Sequence, residues 1–407
     1  MKTIRRICAA VMVAAMLFTL CACHKKDETV LTIGEEKIPS GLYISFISEA
    51  FNEFSTKVND ELDDGTTVEN AKDYFAYEQD GKKCEDWVRD RAAVLAKEYA
   101  AIKLLFAEHD ITLSTEETDY VKSYADYYWE NGYKDHYENN GMDRDTYVDT
   151  LTYYTMRSKL FNFYYNKPDE DTGKGGIQEV PMTELLGKIN EEFVLLEQFS
   201  IPLTSTELNE DGTAKTLTDD EKAAIKTKLE GYAARINEGK NTFAEIKAEY
   251  DKETNPESAD KEDANVIDLS SAPTTESTDA TAEEDKEELK SIYPTSAVIY
   301  SKYDTNQETG AADTANYDKY SAIAKESTFA GFGKAFVKAD ADATEYSLII
   351  FYDLSKDEYY ADQNRSNLLN SLKEEDFKKL LADKAATLAF STDADLVKFY
   401  SPKKLEF

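Results

Sequence analysis

The residues able to do chemistry are few in kind. Histidine occurs three times in 407 residues, as His24, His109 and His136. No two of them stand at the three- or four-residue spacing that puts two ligands on one helix face. "ELNEDG" (Glu207 to Gly212) has the opening order of an EF-hand loop, but its twelfth position is Thr218, where calcium needs a bidentate Glu. A hairpin turn is the simpler reading. Phosphate-loop, dinucleotide-binding, GxSxG and HExxH patterns are all missing, so no metal or cofactor is implied. With 81 Asp and Glu in the chain, paired carboxylates carry no weight. Cys84, in "GKKCEDW", has Lys82 and Lys83 beside it, a setting that lowers a thiol pKa. No His is near in sequence, and a small residue filling a helix start is favoured there.

The aromatics say more. "YADYYWENGYKDHY" sets Tyr124, Tyr127, Tyr128, Trp129, Tyr133 and Tyr137 on one helix and its end. Rings with a polar handle grip varied extended peptides. Tyr127, Tyr128, Trp129 and Tyr133 are therefore candidate peptide-binding residues. A stripe at helical spacing also builds ordinary cores, and position alone favours that reading.

The N-terminus reads as a secretory signal over residues 1–22. Lys2, Arg5 and Arg6 precede an apolar run from Ile7 to Leu20, shorter than the roughly 20 residues of a spanning helix. "LCAC" (Leu20 to Cys23) resembles a bacterial lipobox, with Leu at −3 and Ala22 at −1. That resemblance implies cleavage before Cys23 and lipidation of its sulfur. Two acyl chains, at about 0.8 kcal/mol per buried CH₂, suffice for stable anchoring. Residues 23–29 are then the lipidated Cys and a polar tether. A mature chain holding only Cys23 and Cys84 has no disulfide framework. The net charge of −34 repels nucleic acid and anionic lipid. An acidic surface suited to solubility outside the cell and a generally acidic proteome both fit it.

The elements that must position these residues follow from periodicity. "VLTIGEEKI" (Val30 to Ile38) alternates around Gly34 as a hairpin, and Ser40 opens a helix. Val88, Ala92, Leu95, Tyr99, Ile102 and Phe106 repeat at spacings of four and three. "STEE" from Ser114 is a capping box, and Asp143 or Asp145 caps the next helix. "FVLLEQFSIPL" (Phe193 to Leu203) and "EYSLIIFYDL" (Glu345 to Leu354) read as strands, with helices from Thr218 and around "NTFAEIKAEY" between them. Residues 251–291 form an acidic low-complexity insertion.

In this order the elements resemble the SurA/PrsA foldases. "TIGEEKI", "DITLSTEETDYVKSY", "NGMDRDTYVDTL" and "MRSKL" resemble the family's N-terminal chaperone module over residues 28–167. "FSIPL" followed by "AAIKTKLEGYAARINEGKNTFAEIKAEY" resembles the opening strand and helices of parvulin, and "EYSLIIF" its last strand. The resemblance implies an α+β fold: a mostly helical chaperone module at 30–190, completed by a C-terminal helical segment at 359–407. Between them would lie an inserted parvulin-like α/β domain at 191–358. Parvulins carry a histidine in the opening strand and another in the closing one. Ser200 and Ser347 occupy those positions here, and no histidine follows His136. The family's glycine-rich segment is also missing, where the acidic insertion falls.

The expectation is a membrane-anchored, extracytoplasmic, ATP-independent chaperone that binds unfolded or nascent secreted polypeptides. It would touch the membrane through its lipid anchor only and bind no nucleic acid. Prolyl isomerisation meets a barrier of about 18–20 kcal/mol and needs no covalent step, only a dry pocket and polar groups that favour the twisted amide. Ser200 and Ser347 donate hydrogen bonds but do not reproduce an imidazole pair, so isomerase activity is expected to be weak or absent. An active isomerase and a non-catalytic lipoprotein scaffold or binding protein stand as alternatives.

Overall fold

The computed structural model describes residues 28–62, 68, 70–208, 214–254, 289–305, 312–326, 329–340 and 342–407. The signal segment, Cys23 and most of the acidic insertion lie outside the described residues. The chain is α+β with small antiparallel sheets. No described helix is long and apolar enough to cross a membrane.

Its elements begin with β1 (Thr29–Ile33), β2 (Glu36–Pro39), α1 (Ser40–Glu61), β3 (Glu78–Gln79), β4 (Lys82–Lys83), α2 (Cys84–Glu108) and α3 (Thr115–Tyr128). There follow α4 (Lys134–Asn139), α5 (Arg144–Tyr165), α6 (Met182–Glu192), β5 (Phe193–Pro202), β6 (Thr204–Leu208) and β7 (Ala214–Thr216). Next come α7 (Asp219–Asn237), α8 (Phe243–Thr254), β8 (Val298–Ser301), α9 (Ala315–Ala324), β9 (Ala335–Ala339) and β10 (Glu345–Tyr352). The chain closes with α10 (Glu358–Gln363), α11 (Arg365–Ala385), β11 (Phe390–Thr392) and α12 (Ala394–Phe399). Two compact units result: residues 1–179 with 373–407, and residues 180–372.

In the first unit, β1 and β2 form the expected hairpin, turning at Gly34, whose φ of +59° suits glycine. The other edge of β1 is taken by β11 from near the chain's end, with Leu31 opposite Thr392 and Ile33 opposite Phe390. The C-terminal helical segment expected at 359–407 is therefore interrupted: Phe390–Thr392 are extended and paired to β1, because the helix before them ends at Ala385. The stripe Val88, Ala92, Leu95, Ile102 and Phe106 of α2 is buried. Helix α3 starts at a reciprocal cap: Glu117 N donates to Ser114 Oγ at 3.1 Å, and Ser114 N to Glu117 Oε2 at 2.6 Å. Asp143 caps α5 through Thr146 N at 2.9 Å. The core is aromatic, with Phe46, Tyr99 and Tyr153 at mutual ring distances of 6.0, 5.8 and 5.7 Å. Phe377, on α11, meets Phe161 edge to face at 5.3 Å.

The second unit is built on a four-stranded antiparallel sheet of order β8-β5-β10-β9. Side chains alternate between its faces. Ile201, Leu348 and Ile350 pack with Leu229 of α7 and with Phe243 and Ile246 of α8. On the opposite face Val194, Leu196, Ile349 and Phe351 pack with Tyr317, Tyr320 and Ile323 of α9. Strands β6 and β7 pair as a ribbon around residues 209–213, which lie outside the described residues. Three buried carboxylates tie down the segment that follows the acidic insertion. Asp357 accepts from Ser291 Oγ at 2.7 Å and Ile292 N at 3.0 Å; Glu197 accepts from Ser296 Oγ at 2.5 Å. Glu192 accepts from Tyr303 Oη at 2.5 Å and pairs with Lys302. A buried carboxylate without such donors would be costly.

One contact in the first unit isolates a packing effect. A Cβ at Gly41 would stand 2.5 Å from Thr146 Oγ1, and Asp143 Oδ1 holds that hydroxyl at 2.9 Å. Helix propensity alone would make Gly41→Ala stabilising by up to about 1 kcal/mol. The clash is expected to reverse the sign, lowering stability by about 1–3 kcal/mol. Urea denaturation should show a lower midpoint for Gly41→Ala and recovery of most of it on adding Thr146→Ala; a midpoint raised by the single change would contradict this packing.

Candidate functional site

Two places in the described residues offer polar or aromatic groups in an ordered array, one in each unit. In the second unit the array lies on the β5–β10 pair. These central strands run in register from Pro202 opposite Glu345 to Leu195 opposite Tyr352, so Ser200 stands directly across from Ser347. Their hydroxyl oxygens are 2.7 Å apart, and Ser200 Oγ also donates to Glu345 Oε1 at 3.2 Å. Alternation puts them on the α9 face, two residues along from Gln198, which donates to the Tyr320 hydroxyl, and from Ile349. Lys338 of β9 is the register partner of Ser347 on its other side and pairs with Glu326. Beneath this polar end lies an apolar floor. Phe329, Phe336 and Phe351 meet there at ring distances of 5.6 to 6.2 Å.

Such a site can hold a carbonyl by hydroxyl and amide donors over an aromatic floor. The base beside these hydroxyls is not an imidazole: all three histidines precede residue 137, and both described ones, His109 and His136, belong to the first unit, so the Glu345 carboxylate is the group that Ser200 reaches. A serine needs an activating base to become a nucleophile. With a hydroxyl pair and no imidazole, the arrangement is suited to binding and polarisation. Among the described residues no group of three or more His, Cys, Asp or Glu side chains could hold a metal ion. Sequence reasoning missed Gln198, Tyr320 and the phenylalanines of this face. The alternation in "KAFVKA" around Phe336 was the signal that could have found β9.

In the first unit the tyrosine-rich run divides between core and surface. Helix α3 ends in a π-helical turn, Trp129–Tyr133, where Asn131 and Gly132 leave helical geometry before α4 begins. Such a turn inserts a residue and resets the phase of the faces. Trp129, only 6% exposed, points inward to pack with Ala125 and Tyr147. Its ring belongs to the core and is not offered to a ligand. Tyr128 is half-buried against the same cluster. Tyr127 and Tyr133 face solvent at 63% and 45% exposure, joined by Tyr120 at 68% and Tyr124 at 37%. The surface rings follow one another at 6.0 Å (Tyr120–Tyr124), 4.4 Å (Tyr124–Tyr128) and 5.9 Å (Tyr128–Tyr133), with Tyr127 at 5.1 Å from Tyr128. The sequence run pointed to this surface but left out Tyr120, one helical turn before Tyr124.

The remaining openings are smaller in promise. A cavity of about 470 Å³ in the first unit is lined by Glu85, Arg89, Thr392, Val397, Lys398 and Ser401. Its carboxylate is already held by Ser401 Oγ at 2.6 Å and Lys403 at 3.0 Å. Cys84 nearby is a fully buried free thiol whose pKa burial pushes up to about 12, so it is no ready nucleophile.

Compared with known proteins, the chain matches no family model and no curated sequence.

The tyrosine surface carries its own electrostatic signature. A hydrogen bond with the Tyr128 hydroxyl, aided by burial, pushes the Tyr124 phenol up to about 12. Tyr124 therefore stays neutral through physiological pH. In Tyr128→Phe that partner is lost, and the Tyr124 ionisation should fall toward the usual tyrosine value of about 10. A carbon-13 NMR titration of ring-labelled tyrosine reads it; a Tyr124 step that stays in place would rule out the phenol pair.

Proposed function

We propose that this chain is an extracytoplasmic, lipid-anchored holder of unfolded secreted polypeptides, ATP-independent, with a parvulin-like middle domain that contributes little catalysis. The observation that carries the reading is the run of exposed rings at Tyr120, Tyr124, Tyr127 and Tyr133, linked by tilted and edge-to-face contacts through Tyr128. Single exposed apolar residues are ordinary, whereas a contiguous aromatic face is a place for a partner to sit. Flat rings with hydroxyl rims bind extended chains of varied sequence, because each ring offers area without demanding one side chain. Weak individual contacts suit a holder that must also release.

Support for the parvulin-like reading of the second unit comes from its strands. The two segments that resemble the family's opening and closing strands are neighbours at the centre of the sheet, and the two serines at the expected histidine positions are register partners. A hydroxyl pair lacks the donors and charge of two imidazoles, so any isomerase acceleration is small. Anchoring through Cys23 would place the holder where chains emerge, raising its effective concentration there.

The test uses the full mature chain. A client prone to aggregate after dilution from denaturant should stay in solution at equimolar holder, with suppression intact in Ser200→Ala/Ser347→Ala. Tyr120→Ala/Tyr127→Ala, which trims two side chains more than half exposed, should weaken suppression several-fold. A proline-limited refolding reaction should be accelerated little. No suppression at any ratio would overturn the reading, and strong acceleration lost in Ser200→Ala would favour an active isomerase instead.

A further inference from the structure

The tyrosine face is flanked by carboxylates with no counter-ion of their own. Glu116, Asp119, Glu130, Asp135 and Glu138 are exposed, and none forms an ion pair among the described residues. The neighbouring acids differ: Glu117 is neutralised by Lys159 at 2.6 Å and Asp126 by Arg144 at 2.6 Å. Only Lys122 and Lys134 oppose the free acids between residues 115 and 138. Helical spacing puts Glu116, Tyr120, Tyr124 and Tyr127 on one stripe, with Asp119 and Ser123 on the stripe beside it, and Glu130 follows in the π turn at the helix end.

The rings themselves are vacant of cations. Elsewhere the chain covers rings with its own basic groups: Lys97 lies 4.3 Å from the Phe390 centroid, Lys228 5.3 Å from Tyr250 and Arg157 5.3 Å from Phe377. Among the described residues no lysine or arginine covers Tyr120, Tyr124, Tyr127, Tyr128 or Tyr133. An aromatic face is a good seat for a cation because the ring quadrupole is negative, and nearby carboxylates deepen the attraction. An anion meets the same carboxylates as repulsion.

We infer that this face selects stretches of unfolded polypeptide in which lysine or arginine alternates with apolar residues, the basic groups stacking on the rings beside the free acids. This rests on the client-holding reading and adds a charge preference to it. From Tyr120 to Tyr133 the rings follow one another at 6.0, 4.4 and 5.9 Å, a path long enough for about four or five extended residues. A neutral polysaccharide would also stack on rings but would be indifferent to the acids and to salt.

Fluorescence anisotropy with the mature full-length chain decides it, using three labelled peptides of equal aromatic content that carry lysine and arginine, aspartate and glutamate, or no charge. The basic peptide should bind about tenfold more tightly than the acidic one at low ionic strength, and that ratio should fall toward one at about 1 M salt, where the screening length is roughly 3 Å. In Asp119→Asn/Glu130→Gln the uncharged peptide should bind as before while the preference shrinks several-fold. Equal binding of all three peptides would overturn the charge preference and leave client holding intact. No peptide binding together with no aggregation suppression would overturn both, and tighter binding of a neutral oligosaccharide than of any peptide would overturn this assignment in favour of a sugar surface.

Discussion

The register of β5 against β10 is the constraint on which the second unit depends. Side chains on a strand alternate, so slipping this pair by one residue would exchange every group between the α7–α8 face and the α9 face. In the observed register Leu348 and Ile350 enter one core while Ile349 and Phe351 enter the other. Ser200 and Ser347 then fall opposite each other on the α9 face, within hydrogen-bond distance. Hydrophobic burial on both sides fixes the register, and the polar pair is carried to its place by that choice. The central position of both strands also keeps their backbone bonds away from water, so the hydroxyls sit on a rigid support.

The first unit solves a different problem. Its core is dense with aromatic side chains, and its tyrosines divide between interior and surface. The π turn at Trp129–Tyr133 settles which go where. Before it, Tyr120, Tyr124 and Tyr127 lie on the outer stripe of α3. After it the phase changes, and Tyr133 reaches back to Tyr147 at 5.7 Å while keeping an exposed edge. Tyr133 is thereby braced by Tyr147, and Tyr128, which Tyr124 and Tyr127 touch, packs on the Trp129 and Tyr147 cluster. A braced ring loses less freedom on binding than a free one, which favours weak but ready association.

Local signals in the sequence were legible where the chain speaks for itself. The spacing of Val88 to Phe106, the caps at Ser114 and Thr218, and the apolar runs of β5 and β10 all produced the elements they imply. Strands β8 and β9 were not read, because four or five residues at a sheet edge carry too little pattern. The pairing of β11 with β1 could not be read either, since "FST" has no distinguishing composition and its partner is more than three hundred residues away. Within the tyrosine run, Trp129 continues the buried four-residue stripe of Val121 and Ala125, while Tyr127, two residues away, falls on the opposite side; regular periodicity lapses only after it, at Asn131 and Gly132. At the serine pair the strands were legible, but the supporting Gln198–Tyr320 contact depended on how α9 packs, which no local pattern encodes.

The union of β1 with β11 has a bearing on the order in which the protein can be completed. Synthesis runs from amino to carboxyl end, so the outer edge of β1 stays unpaired until Phe390–Thr392 have been made. The segment 180–372 is continuous and needs nothing from either end for its own sheet. Closure entropy rises only slowly with the length of chain enclosed, by about 0.6 kcal/mol per doubling, so a long interval is tolerable once the middle has collapsed. The sheet of the second unit thus has all its strands before the β1–β11 pair of the first can close.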